Sequence, residues 1–183
     1  MLAAMSRRRT LVLIGVGVGA VVLAAALAVF QPWLLFVDVR VEDELPVVAP
    51  APEPSVTPTA PEPAGPVALA TGTFISHEHA TTGTVSIVQN PDGSRVLAIA
   101  GLDTSNGPDL HVWLSAADVV EGPDGWFTAG SAPYVDLGPL TGNLGDQVYA
   151  IPADADLDGI RSVEIWCVRF SVSFGAAQLA WVP

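Results

Sequence analysis

Lysine is absent from this chain, cysteine occurs once and histidine three times. Each shortage closes off chemistry. A single cysteine cannot form an intrachain disulfide, the C-x-x-C of a thioredoxin-like site or the C-x-x-C-H that attaches a c-type haem. Methionine is confined to Met1 and Met5, and no histidine follows Cys167. The two-His, one-Cys, Met set of a blue-copper centre is therefore not supplied. G-x-S-x-G, a zinc signature and a phosphate loop are also missing, so hydrolysis and nucleotide chemistry have no support. After Phe36 no apolar repeat runs at helical spacing, which removes the bundle folds.

Charge of one sign is scarce as well. Arg7, Arg8 and Arg9 precede an uncharged run, Thr10 to Phe30, while all 19 acidic residues and the other four arginines follow it, a net −15 for the later part. Such a surface repels nucleic acid and anionic headgroups. About 20 apolar residues cross a bilayer. Residues 1–9 read as a basic cytoplasmic tail and 10–36 as a signal anchor with Trp33 at the interface, so the remainder faces outward. Ala26-Leu27-Ala28 offers a cleavage-like arrangement. The apolar character that resumes after Pro32 favours a retained single-pass anchor.

Residues 37–66 read as an acidic and then proline-rich linker; eight of the 21 residues Pro46–Pro66 are proline. That composition gives an extended spacer with a reach of roughly 65 Å. From about Val67 to Pro183 the chain predicts an all-β domain, an antiparallel β-sandwich or barrel. The predicted strands lie near Gly72–Ser76, Thr84–Gln89, Arg95–Leu102, Leu110–Ser115, Tyr134–Leu137, Gln147–Ile151, Arg161–Phe170 and Ala176–Trp181. Asn90-Pro91-Asp92-Gly93 is a hairpin turn. About 115 residues bury a sufficient core without disulfides.

Alternation sets Leu110, Val112 and Leu114 against His111 and Trp113. In the late strand it sets Trp166, Val168, Phe170, Val172 and Phe174, the longer apolar stripe, against Val163, Ile165, Cys167 and Arg169. The first set is assigned to the core, and Cys167 to the other face. Arg169, two residues on, would favour the thiolate, and His111 can share that face. Against a reactive thiol stands the ordinary burial of free cysteine. His77 and His79, spaced by two, can hold one metal ion or be a solvated pair. Asp154–Gly159 starts like a calcium loop, but the glutamate falls one place early, leaving an acidic turn.

Gly72-Thr73-Phe74, His79–Gly83, Asn106–Ser115 (NGPDLHVWLS), Leu137–Pro152 and Ser162–Leu179 together resemble, in order, the blocks of the extracellular electron-transfer DM-thirteen domain. The resemblance implies a β-rich cell-surface module for electron transfer or oxidative modification. It implies a redox partner protein and one central cysteine, either a bare thiol or the holder of a prosthetic group such as haem. Cys167, in Ile165-Trp166-Cys167, stands at that position, with Arg169 and His111 as tuning residues. The alternative is a non-catalytic envelope module whose cysteine is structural.

Overall fold

The computed structural model describes residues 2–48 and 65–182. Helix α1, Leu2–Phe30, comes first. Its stretch Arg7–Phe30 is long and apolar enough to cross a membrane, and none of it packs inside the molecule. The apolar run does not continue as one helix to Phe36. Gln31 turns left-handed, with φ 43°, and Pro32–Phe36 form a 3-10 helix. The proline supplies no amide and disfavours helical geometry in the residue before it.

Ten strands follow: β1 (Arg40–Glu42), β2 (Val67–Ser76), β3 (Thr82–Gln89), β4 (Arg95–Asp103), β5 (Leu110–Ser115), β6 (Tyr134–Pro139), β7 (Leu144–Ile151), β8 (Ser162–Cys167), β9 (Val172–Gln178) and β10 (Ala180–Trp181). They form one curled half-barrel sheet in the order β1-β7-β4-β3-β2-β9-β8-β5-β6, with β10 also on β2. The sheet curls at β2. Val67–Thr73 pair with β3, and Phe74–Ser76 pair with β9. The β3–β4 hairpin turns where the sequence predicts: Gly93 has φ 84°, and its amide bonds the Asn90 carbonyl at 2.9 Å.

All pairs are antiparallel except β1 with β7. Strand β1 lies within the residues expected to act only as a linker. It is pinned by Asn143, which is almost fully buried. The Asn143 amide donates to Asp38 Oδ1 (2.9 Å) and to the Thr104 carbonyl (2.8 Å), and its Oδ1 accepts from the Val39 amide (2.7 Å). The close approach needs glycine. A Cβ on Gly145 would stand 2.0 Å from the Val41 carbonyl oxygen. The sheet thus begins upstream of the proline-rich stretch, most of which, 49–64, lies outside the described residues. The domain also touches the helix end directly. Arg169 Nη1 donates to the Val29 carbonyl at 2.8 Å, and Phe170 stacks on Phe30 at 5.7 Å between ring centres.

The inner face of the sheet holds one apolar cluster, built from Ile87, Leu97, Ile99, Leu110, Val112, Leu114, Val163, Ile165, Cys167 and Phe174 among others. The outer face of β5, β8 and β9 is also covered. Residues 116–133, including the 3-10 helices Pro123–Phe127 and Ala129–Ser131, lie over it. There Trp113, Trp166 and Ala129 pack together.

Candidate functional site

Cys167 ends β8, with Leu110 of β5 and Val172 of β9 as its cross-strand neighbours. It is fully buried and belongs to the inner cluster with Val163 and Ile165. This corrects the face expected from the sequence: Cys167 points into the core, and Trp166 points outward. The expected strand Arg161–Phe170 stops at Cys167. Residues 168–171 turn, with Ser171 at φ 52°, and β9 starts at Val172. The apolar stripe Trp166–Phe174 was counted across that turn, where alternation carries no meaning.

Burial pushes the Cys167 thiol above its ordinary range. The backbone amides of Phe170 and Arg169 pull it back, and the Arg169 charge does so least. Desolvation wins, so the resting sulfur is a neutral thiol. Arg169 lies in the exposed turn and its guanidinium is occupied at the helix end. It ties the 168–171 turn to the end of α1. His111 does not meet Cys167. It projects from the opposite face of β5, where Nδ1 bonds the Asp136 carboxylate at 2.8 Å and Nε2 lies 3.6 Å from Asp109.

The two early histidines are engaged separately. His77 is buried beneath residues 116–133, with Nδ1 2.8 Å from Ser173 Oγ. His79 pairs with Glu78 and lies flat on the Phe174 ring, 3.8 Å between centres. Among the described residues no group of three or more His, Cys, Asp or Glu is placed to hold a metal ion.

A haem ligated by Cys167 would need its macrocycle against the sulfur. That volume is filled by the inner cluster, and the cleft bounded by Val172 and Phe174 does not reach Cys167. The residues present do not fit a haem at this position.

Two features were not anticipated. Glu164, on β8 one place before Ile165, is fully buried on the outer face. Ser173 Oγ donates to its Oε2 at 2.6 Å, and Ser162 Oγ approaches Oε1 at 3.4 Å. Ser173 thereby links Glu164 to His77. No cation pairs with Glu164 among the described residues, and burial raises its pKa from 4.5 to about 7 against the pull of both serines. The sequence signal was a single glutamate inside the apolar strand Ser162–Cys167. The second feature is a ring stack across the outer face: Tyr134 on Trp113 at 3.7 Å and Trp113 on Trp166 at 4.9 Å.

The recurring sequence blocks now have physical roles. Thr81 Oγ1 bonds Thr104 Oγ1 (2.8 Å) and the Phe174 carbonyl (3.1 Å). Its Cβ would lie 2.5 Å from a Cβ on residue 175, so Gly175 admits it. In the block 137–152, Gln147 is buried and accepts from Tyr149 Oη and Thr141 Oγ1 at 2.7 and 2.6 Å. These bonds fix the 140–143 turn against which β1 docks.

A β half-barrel with an N-terminal apolar helix and one buried thiol defines a β-rich module. The family model described as Electron transfer DM13 matches residues 73–179. The chain belongs to that family, whose designation gives it a redox or electron-transfer role. Comparison with curated proteins and with solved structures found no match.

Proposed function

We propose that this is a membrane-anchored electron-transfer domain on the extracytoplasmic side, with Cys167 as its redox-active atom. The observation that carries the reading is the family match, within which Cys167 is the only sulfur. Helix α1 anchors the chain, and the three arginines at its start keep that end in the cytoplasm. The domain rests against the membrane surface because its 168–171 turn is tied to Val29 and Phe30. The sulfur works from the neutral thiol state. Its exchange with a partner requires either electron passage through the packed wall or a local opening of that turn. Arg169 contributes by holding the turn, and His111, hydrogen-bonded to Asp136 on the far face, contributes only through the field of the neighbouring carboxylates.

The test is a redox titration of the full-length protein in lipid nanodiscs, wild type against Cys167→Ser. Loss of the response in the variant, with an unchanged circular dichroism spectrum, is expected. An identical response refutes the cysteine's role. Protease added to intact cells should remove the domain; full protection would overturn the orientation.

One observation favours a second reading, a non-catalytic module with a structural cysteine: Cys167 has no exposed surface. On that reading Cys167→Ala changes stability alone, by the few kcal/mol of a core truncation.

A further inference from the structure

Between the end of α1 and the domain lies a cleft of about 460 Å³, within the range of sites that take small organic ligands. Leu34, Leu35, Trp126, Phe127, Phe174 and His79 are among the residues that line it. We propose that this cleft binds the ring of a lipid-soluble quinone. The inference rests on the electron-transfer reading above and names the class of its membrane partner.

Position is the first argument. The cleft opens where the apolar span ends, so a ligand dissolved in the bilayer reaches it without crossing water. Shape chemistry is the second. Its lining is rich in aromatic side chains, which suit a flat ring better than a branched or flexible chain.

Polar chemistry is the third. Quinones carry carbonyl acceptors, and quinols carry hydroxyl donors. Most polar groups of the cleft are already committed. The Gln31 amide donates to the Ala28 carbonyl. The Asn106 amide donates to the Val37 carbonyl, and its oxygen accepts from the Gly107 amide. The Glu78 carboxylate faces His79 Nδ1. His79 Nε2 makes no hydrogen bond to any described residue. An imidazole nitrogen can donate to a quinone carbonyl or accept from a quinol hydroxyl, according to which nitrogen carries the proton. One nitrogen therefore serves both redox forms, and the Phe174 ring beneath fixes its plane.

The cleft also adjoins the sulfur's enclosure. Val172 and Phe174 line the cleft and belong to the cluster that contains Cys167. Those two side chains form the partition between a bound ring and the thiol.

The test uses the full-length protein in phospholipid nanodiscs, with menadione as the probe and quenching of Trp126 fluorescence as the readout. Trp126→Phe supplies the background from the other tryptophans. Saturable quenching is expected. His79→Ala should weaken it about tenfold, the loss of one buried hydrogen bond. Leu35→Trp, at an exposed position on the cleft wall, should abolish it by filling the mouth. Decylbenzene, apolar but without carbonyls, should not compete. Equal competition by decylbenzene, or unchanged quenching in both variants, would overturn the proposal. Cys167→Ser separates the two readings. Saturable binding that survives in a redox-silent variant upholds both. A redox-active cysteine without binding sinks the cleft alone, and binding with an unaltered redox response in Cys167→Ser sinks the cysteine alone.

Discussion

Replacing Glu164 with glutamine should make the protein more stable at neutral and alkaline pH and leave it nearly unchanged at about pH 4.5. The carboxyl sits fully buried between Ser162 and Ser173, and no cation pairs with it among the described residues. Its folded pKa of about 7 lies above the ordinary 4.5. The folded state therefore holds its proton more tightly than the unfolded state. Below about 4.5 both states are protonated and Glu164 carries no penalty. As pH rises through about 7 the folded protein must ionise a buried acid, and stability falls. The full span corresponds to about 3 kcal/mol, at about 1.4 kcal/mol per pH unit. Glutamine keeps the shape and the oxygen that Ser173 bonds, and it never ionises.

The assay is urea unfolding of the full-length protein in a non-ionic detergent, followed by tryptophan fluorescence between about pH 4.5 and pH 8.5. The quantity of interest is the difference between Glu164→Gln and wild type. His77, whose pKa burial lowers, contributes in the opposite sense: its stabilisation is lost as pH falls below the unfolded value of 6.5. Because His77 shares Ser173 with Glu164, the pair is also compared in a His77→Gln background, which removes that contribution. The variant's advantage should grow from near zero to about 3 kcal/mol across the range. A flat difference would refute the reasoning, because it would mean that the folded carboxyl titrates no higher than the unfolded one. A difference that shrinks with pH would mean an unseen positive partner.

Three further outcomes follow from the same geometry. Ser173→Ala removes a donor to the Glu164 carboxylate and the partner of His77; it should cost about 2–4 kcal/mol and move the midpoint of the Glu164 titration above 7, read in the same unfolding series. Native Cys167 should resist a maleimide reagent until denaturant is added. Combining Arg169→Ala with Phe170→Ala should speed native labelling about tenfold, because both ties between the covering turn and α1 are lost; an unchanged rate would mean that the turn is held from elsewhere. Gly145→Ala should release β1, since the new methyl would meet the Val41 carbonyl oxygen at 2.0 Å. Hydrogen exchange at the Leu144 amide, which bonds the Val39 carbonyl, should rise towards that of an open strand edge.

The strands and the first hairpin were legible because their signals are local. Asn90–Gly93 specifies its turn within four residues, and Leu110, Val112 and Leu114 alternate as they pack. The face of Cys167 was not legible, for two physical reasons. Residues 168–171 turn without glycine or proline, Ser171 taking the left-handed conformation, so nothing in the letters interrupts the stripe. In addition, residues 116–133 cover the outer face of β8, so Trp166 and Ile165 are both buried while pointing opposite ways. Hydrophobicity cannot assign sides when both sides are dry. Strand β1 escaped notice because Asn143, Gly142 and Gly145, a hundred residues downstream, create its docking edge. Glu164 was visible as a lone acid in an apolar strand. Its partners were not, since Ser173 and His77 reach it only through the fold.

The placement of Arg169 ties α1 to the domain. In the linear sequence, an arginine two residues after a cysteine reads as an activator of the thiolate. In the folded chain, the turn carries that guanidinium outward to the helix end, and the sulfur is left to burial, which keeps it protonated. The reactivity of the thiol is then set less by neighbouring charge than by what covers it. The turn that follows Cys167 carries Phe170, stacked on Phe30. The polypeptide beyond the helix returns at once to the sheet as β1, so helix and domain are joined both by the chain and by contact. Removing α1 would open one wall of the cleft beside Val172 and Phe174 and free the turn over Cys167. A fragment without α1 would therefore present a more accessible thiol than the whole chain, and redox behaviour measured on it would describe a different surface.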